Sequence, residues 1–583
     1  MKKIVILLFV IILCGYSTET GRSIYREKSI DNGSDVKEET NETTPTTVFT
    51  IEFSEFLKEL EPIVKRIDPI NAYSVDHNIK CDISSNDKLK NIYDYWYKRS
   101  LRVNNNSIKK EDQALYDIIK FYLFNNLKYQ NNNSLILELM YLDHPIYKSI
   151  NSLLVFELNN IEDINFYFSI IEELSHTINQ ETANIQTRDY KNIYANKEII
   201  NSIIEKLNVF IEYKSYNENF TNKINNIEGL EDKESYITKN NNLITDNLIN
   251  PLIKLVDSLN YVVNNETLVI KNLSEYEGGN DLYQSLAYLN TSSIDDVDTI
   301  FLNITEHYLD LKDELKALAT SNNQVFIDKN NYHYTMIDYE STMDSIKEHG
   351  SELYPKYDNY SYQGSYTKSG NGDSVQYLND NINHNNKDIF KIDKNYVLND
   401  SLETYYSLAY NGYVGKLYLN NYYKNNNINA LTRYIEFKGT NNSIATYNAL
   451  NTYDYIIKNK ELSNVIALEK ELDIMLLSII DIGVNYYGWL ESDTNKYLEK
   501  IGVHDSFIDS YVNKYTNIVK LDPATSLSYS YGLVLYNYMY KQMKDNNISD
   551  LEFNTFLVNN YNKPLFMIQD DFNKYDFSST LGE

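Results

Sequence analysis

Ser407-Leu-Ala-Tyr-Asn-Gly-Tyr-Val-Gly-Lys-Leu-Tyr418 is the run on which the reading of this chain turns. It lies in a helix expected over about 401–420, with Leu408 and Leu417 as its buried apolar residues. A second run, Gly439-Thr-Asn-Asn-Ser-Ile-Ala-Thr-Tyr447, lies in a helix expected over about 440–458, with Ala445 buried. The polar side chains of these runs are poor metal ligands. Zinc takes neutral imidazole, carboxylate or thiolate, whereas the Tyr410 phenol (pKa ~10) and the Lys416 ammonium (pKa ~10.4) are both protonated at neutral pH. Asn411 and Asn442 carry no titrating proton, so Asn411 cannot take one from a bound water.

The two runs resemble motifs of domain of unknown function 885, a family of bacterial lipoproteins and secreted proteins similar to zinc metallopeptidases. Its first run typically reads Leu-Ala-His-Glu-Gly-Tyr-Pro-Gly-His-Leu-Tyr-Gln, and Leu408, Ala409, Gly412, Tyr413, Gly415, Leu417 and Tyr418 keep that frame. Tyr410 and Lys416 stand where the family has histidines, and Asn411 stands at a glutamate that resembles a general base. The family's second run, Gly-Tyr-x-Glu-Gly-Trp-Ala-x-Tyr, matches at Gly439, Ala445 and Tyr447, with Asn442 at the glutamate that serves as third ligand. The resemblance implies a mostly α fold: a large helical, two-lobed metallopeptidase-like domain with a central cleft and a few short strands. It makes Tyr410, Asn411, Lys416 and Asn442 vestigial metal-site positions, with no metal, no other cofactor and no catalytic residue. Tyr410, Lys416 and Asn442 are then expected to converge on one pocket.

Two further matches lie downstream. Asp481-Ile-Gly-Val-Asn-Tyr-Tyr-Gly-Trp489 is similar to the family's Asp-x-Gly-x-Asn/His and Gly-Trp, and Asp522-Pro-Ala-Thr-Ser-Leu-Ser-Tyr-Ser-Tyr-Gly532 to its Pro-x-x-x-Leu-x-Tyr-x-x-Gly. Tyr413, Asp481, Asn485, Trp489, Tyr529 and Tyr531 are expected to line the cleft. The resemblance covers about Val48 to Asp576 and is densest after residue 400.

The amino terminus carries its own address. Lys2 and Lys3 precede the apolar run Ile4 to Leu13, which is too short for a bilayer that needs ~20 residues, so residues 1–14 read as a signal peptide. Ile11-Ile12-Leu13-Cys14-Gly15 resembles a lipobox, making Cys14 the lipidation site and the partner a membrane. Residues 15–47 are polar and read as a disordered tether, followed by an N-terminal helical lobe, 48–270, and a C-terminal lobe, 271–583, that carries the vestigial helices. With Cys14 lipidated, Cys81 has no disulfide partner. The formal charge of −28 over 583 residues excludes the Lys/Arg-rich surfaces that bind nucleic acid. The abundance of Tyr, 55 residues, together with Asn, Ile and Lys, reads as genome composition and not as function.

Periodicity at three and four predicts helices over Phe53–Ile67, 112–127, 161–180, 196–213 and 243–262. Leu472–Ile480 is apolar nearly all round and reads as a buried helix. His144, before Pro145, reads as a packing or capping residue, and Ser292 or Ser293 as the cap of a following helix. Residues 354–373 read as an exposed loop. Gln376–Leu378 and Asp388–Asp393 read as short strands, and 379–386 as a polar loop that lacks the Gly and Glu of a calcium loop.

No other chemistry competes in the sequence. There is no His-Glu-x-x-His, no Gly-x-Ser-x-Gly, no phosphate-cradling Gly-Lys-Ser/Thr and no Cys-x-x-Cys. The expectation is an exported protein, lipid-anchored to the outer face of a bacterial membrane and catalytically inactive, with a cleft for a peptide or glycan. Two alternatives stand beside it: a hydrolase using His384 or His504 in the same cleft, and a surface adhesin or structural lipoprotein.

Overall fold

The computed structural model describes residues 50–575, apart from 68, 74–76, 84–85, 142–143, 214, 267, 269–270, 335–338, 357–361, 368–374, 379–387, 394–400 and 427–429. The signal peptide, Cys14, the 15–47 tether, the 379–386 loop and His384 lie outside the described residues. What is described is helical almost throughout. None of its helices is long and apolar enough to cross a membrane.

The expected helices form where apolar residues recur at three and four. Phe53–Ile67 buries Phe53, Phe56, Leu60 and Val64 and runs through Pro62 without a break. Gln113–Asn132, Ile161–Thr187 and Lys197–Glu212 match their predicted spans, the first two extending further toward their C-termini. The stretch expected over 243–262 is one turn of π-helix, Ile244–Ile249, leading into Asn250–Asn265. His144 caps the Pro145–Val155 helix, its Nδ1 accepting from the Ile146 N–H at 3.2 Å.

Two buried clusters hold these helices together. The smaller joins Phe56, Trp96 and Phe121 to Leu431, Phe437 and Met567, so the first helices dock on residues from the second half of the chain. The Phe121 ring lies 5.9 Å from that of Phe437 and 5.2 Å from that of Phe566. The larger cluster draws residues from Ile70 to Phe572, and so from both sides of the boundary expected near 270.

Four local expectations are corrected. Residues 362–367, read as part of a loop because they are rich in Tyr, Ser and Gly, form strand β1 (Tyr362–Thr367). It pairs in parallel with β3 (Asp388–Asp393), while β2 (Val375–Leu378) pairs antiparallel on the other side of β3. The cap of the Val297–Ser321 helix is Asp296, whose carboxylate accepts from the Thr299 N–H at 2.8 Å, and not Ser292 or Ser293. Ser292 instead ends the Gly279–Thr291 helix in a left-handed conformation. The helix expected over 440–458 runs Lys438–Leu450 and resumes as Tyr453–Ile456.

The fourth correction bears on the site. The helix expected over 401–420 is two helices, Ser401–Asn411 and Lys416–Asn425, separated by a turn. Val414 holds φ at 67° in that turn, a conformation costly for a β-branched residue. The Asn448 side chain holds it there by donating to the Val414 carbonyl at 2.6 Å. Gly415 lets the turn fold back on the preceding helix, since a Cβ there would lie 2.0 Å from the Tyr410 carbonyl oxygen.

Candidate functional site

The helix 438–450 is buried along nearly its whole length and is unusual in composition. Every residue from Gly439 to Leu450 is buried, yet Thr440, Asn441, Asn442, Ser443, Thr446 and Asn448 are polar. Burying such groups is tolerable only when they find partners, and several of these partners come from distant parts of the chain. Thr440 donates to the Lys563 carbonyl at 2.7 Å and Asn441 to Asn562 at 3.1 Å. Ser443 contacts the Tyr536 hydroxyl at 3.3 Å, and Asn448 reaches Val414.

Three of the four singled-out positions meet here. The Tyr410 hydroxyl donates to Asn442 Oδ1 at 3.1 Å, and Asn442 Nδ2 donates to Ser528 Oγ at 3.0 Å. Lys416 Nζ sits 4.9 Å from the Tyr410 ring centroid, a cation over the face of a π system. The Tyr410 ring is flanked by Tyr406 at 6.2 Å and Tyr529 at 6.0 Å. Burial, and then the neighbouring phenols of Tyr529 and Tyr406, push the Tyr410 hydroxyl well above its ordinary pKa, so it stays a protonated donor. Asn411 does not join the group through its amide nitrogen, which donates to the Ser407 carbonyl of its own helix at 2.9 Å.

A phenol that keeps its proton, a neutral amide and an ammonium do not fit a zinc site, which takes its donors from imidazole, carboxylate and thiolate. Among the described residues no three His, Cys, Asp or Glu side chains are grouped as metal ligands. What the arrangement does is join helices 401–411, 438–450 and 527–545 through a satisfied chain of hydrogen bonds.

The six residues expected along one cleft are spread over several places. Tyr529 lies against Tyr410, and Tyr413, buried, packs its ring 5.1 Å from Tyr418. Tyr531 is buried and donates to Asp295 at 2.7 Å. Asp481 and Asn485 have no exposure at all, which corrects their placement on a cleft wall. Asp481 is an acceptor node inside the core, receiving Tyr283, Asn485, the Ala524 N–H and Ser526 at 2.9, 3.0, 3.1 and 2.6 Å. Burial pushes its carboxyl up to about 6 against those hydrogen bonds. Trp489 belongs to a cluster of rings with Phe301, Tyr487 and Tyr497.

His504 packs its ring against Phe507 at the start of the Asp505–Leu521 helix. A histidine that, like the cap His144, enters the interior is His307, whose Nε2 lies 2.6 Å from Glu471 Oε1, with Asn537 donating to the same oxygen at 2.6 Å. These three sit on helices 297–321, 460–485 and 527–545. His307 and Glu471 are 164 residues apart in sequence, so no local motif announces them. Two surface depressions, of about 590 Å³ along residues 232–247 and about 230 Å³ near Glu157, Lys223 and Glu228, do not include Tyr410, Lys416 or Asn442 in their walls.

No protein-family model matches the chain, and no curated protein matches it. Solved structures do. A candidate lipoprotein from Colwellia psychrerythraea aligns with a TM-score of 0.67 at 12% identity, covering 89% of this chain and 97% of that one. A candidate lipoprotein of unknown function from Shewanella oneidensis aligns with a TM-score of 0.57 at 9% identity, covering 90% and 100%. At such identities the likeness establishes a shared fold over nearly the whole of each chain.

Proposed function

We propose that this chain is an exported lipoprotein, anchored through Cys14 to the outer face of a bacterial membrane, and a catalytically inactive relative of a zinc metallopeptidase-like family that acts by binding. The anchor rests on the Lys2-Lys3 start, the apolar run to Leu13, Cys14 and the polar stretch behind it. Two neighbours in fold that are described as candidate lipoproteins support it. The two-lobed, cleft-bearing form of the fold belongs to the same proposal.

One observation carries the inactive reading: the hydrogen bond from Tyr410 to Asn442 Oδ1, with Lys416 over the Tyr410 ring. Positions that the resemblance makes ligands are near one another in space although far apart in sequence, and they are occupied by groups that satisfy each other. A peptide or glycan partner would then be held on other surfaces, because the side chains fill the place where a substrate would meet a metal.

The test restores the ligands. The variant Tyr410→His, Asn411→Glu, Lys416→His, Asn442→Glu is expected to bind zinc with a Kd of about micromolar or tighter, and each single substitution is expected to bind none, since too few ligands make a weak site. Circular dichroism establishes that the variant is folded. A folded fourfold variant that takes up no zinc would overturn the frame on which the reading rests.

A further inference from the structure

The face around Trp489 is built differently from the rest of the surface. Helix 460–485 ends in Tyr486 and a turn through Gly488, which projects Tyr487 and Trp489 against Phe301 of helix 297–321 and leaves Leu490 exposed next to them. Tyr487 and Trp489 stack at 6.0 Å and 25°, and the Phe301 ring stands nearly perpendicular to both, at 5.1 and 5.8 Å. Trp489 is anchored from behind, since a Cβ on Gly483 would lie 2.0 Å from its indole. Despite this packing the face is open: Tyr487 is 39% exposed and Leu490 64%.

Lys500 Nζ lies 5.5 Å from the Tyr497 ring, which packs on Trp489, whereas carboxylates gather at Tyr487. The Tyr487 hydroxyl donates to Asp298 at 2.7 Å, which fixes the ring's orientation. Asp281, Asp296 and Asp298 are exposed, and after burial their carboxylates are what raise the Tyr486 hydroxyl above its ordinary pKa. An open aromatic face marks an interaction site, and its chemistry selects the partner. Ring faces attract cations, as do clustered carboxylates. A second copy of this chain, itself at −28, is disfavoured by like charge. A neutral glycan would gain from stacking but nothing from three carboxylates.

We propose that the Phe301, Tyr487, Trp489 and Leu490 face binds a cationic peptide segment, its Lys or Arg heads among Asp281, Asp296 and Asp298 and its alkyl stems on the rings. This goes beyond the inactive-relative reading and does not depend on it, because none of these residues belongs to the Tyr410 group.

The chain has two tryptophans, and Trp96 is buried at 7% exposure in the smaller core, so a ligand-induced change in fluorescence reports on Trp489. Titration with octalysine is expected to give a saturable change that disappears at about 0.5 M salt. The triple variant Asp281→Asn, Asp296→Asn, Asp298→Asn is expected to weaken it about tenfold, as the loss of three exposed charge pairs implies. Asparagine keeps the cap at 296 and the Tyr487 contact at 298, so the fold is preserved. A control triple, Asp232→Asn, Glu234→Gln, Asp246→Asn, removes the same charge elsewhere and is expected to bind within about twofold of the parent. Equal weakening by both triples would reduce the effect to net charge and overturn the proposal. So would a response to chitohexaose with none to octalysine, or loss of the response on dimerisation.

Discussion

Tyr410 and Asn442, 32 residues apart in sequence, are joined by a 3.1 Å hydrogen bond inside the protein, and Ser528 continues the chain from the other end of the same amide. Where a metal would tie three helices together by coordination, a phenol, an amide and a hydroxyl tie them by hydrogen bonds. Removing one member leaves a buried partner unsatisfied. Tyr410→Phe is therefore expected to cost about 1–2 kcal/mol in urea unfolding, and Asn442→Ala about 2–3 kcal/mol because both ends of the chain are lost. A cost near zero for both would mean that the chain holds nothing.

Asp481 offers a sharper contrast. Asp481→Ala strands the donors of Tyr283, Asn485, Ala524 and Ser526 in the core and is expected to cost about 3–5 kcal/mol. Asp481→Asn keeps an acceptor for most of them and is expected to cost about 1 kcal/mol. Similar losses for the two variants would contradict the hydrogen-bond account of this node.

Burial sets a pH dependence. The Glu138 carboxyl is raised from 4.5 to about 7, burial outweighing hydrogen bonds from Tyr129 and Asn133, and its Oε2 is buried without a partner. A carboxyl with a raised folded pKa holds its proton in the folded state after the unfolded chain has lost it. Stability is thus full below about pH 4.5 and falls as pH climbs through about 7. Between pH 5 and pH 8, Glu138→Gln is expected to lose less stability than the parent, by roughly 1–3 kcal/mol. Thermal melts at the two pH values measure the difference, and parallel slopes for parent and variant would refute it.

Val414 tests the turn. Proline cannot adopt a φ of 67°, so Val414→Pro is expected to cost about 3 kcal/mol or more, although proline is what the resembling family has there. A neutral result in thermal unfolding would show that residue 414 does not hold the left-handed conformation.

The helical frame was legible because its signal is local. Phe53, Phe56, Leu60 and Val64 fall on one stripe, and any such stripe predicts its own helix. The helix 438–450 carries no stripe, since it is buried on all sides and half polar; the resemblance of Gly439–Tyr447 to a family motif, not periodicity, located it. The Val414 turn was hidden for the opposite reason. It breaks a local rule, a β-branched residue in a left-handed conformation, and only Asn448, 34 residues on, explains how the turn is held. Strand β1 looked like a loop because its stability comes from pairing with β3, not from Tyr-Gln-Gly-Ser-Tyr-Thr itself. The His307, Glu471 and Asn537 group lay beyond reach altogether, assembled from three helices with no spacing to betray it.

The most direct measurement is the metal content of the parent protein, purified after expression in zinc-supplemented medium and dialysed against zinc-free buffer, by mass spectrometry of the elements. The account predicts well below one equivalent of zinc, and a thermal midpoint that a chelator does not move. One equivalent of tightly held zinc that disappears on Tyr410→Phe or Asn442→Ala would contradict it, because it would show that this hydrogen-bonded group is a working metal centre.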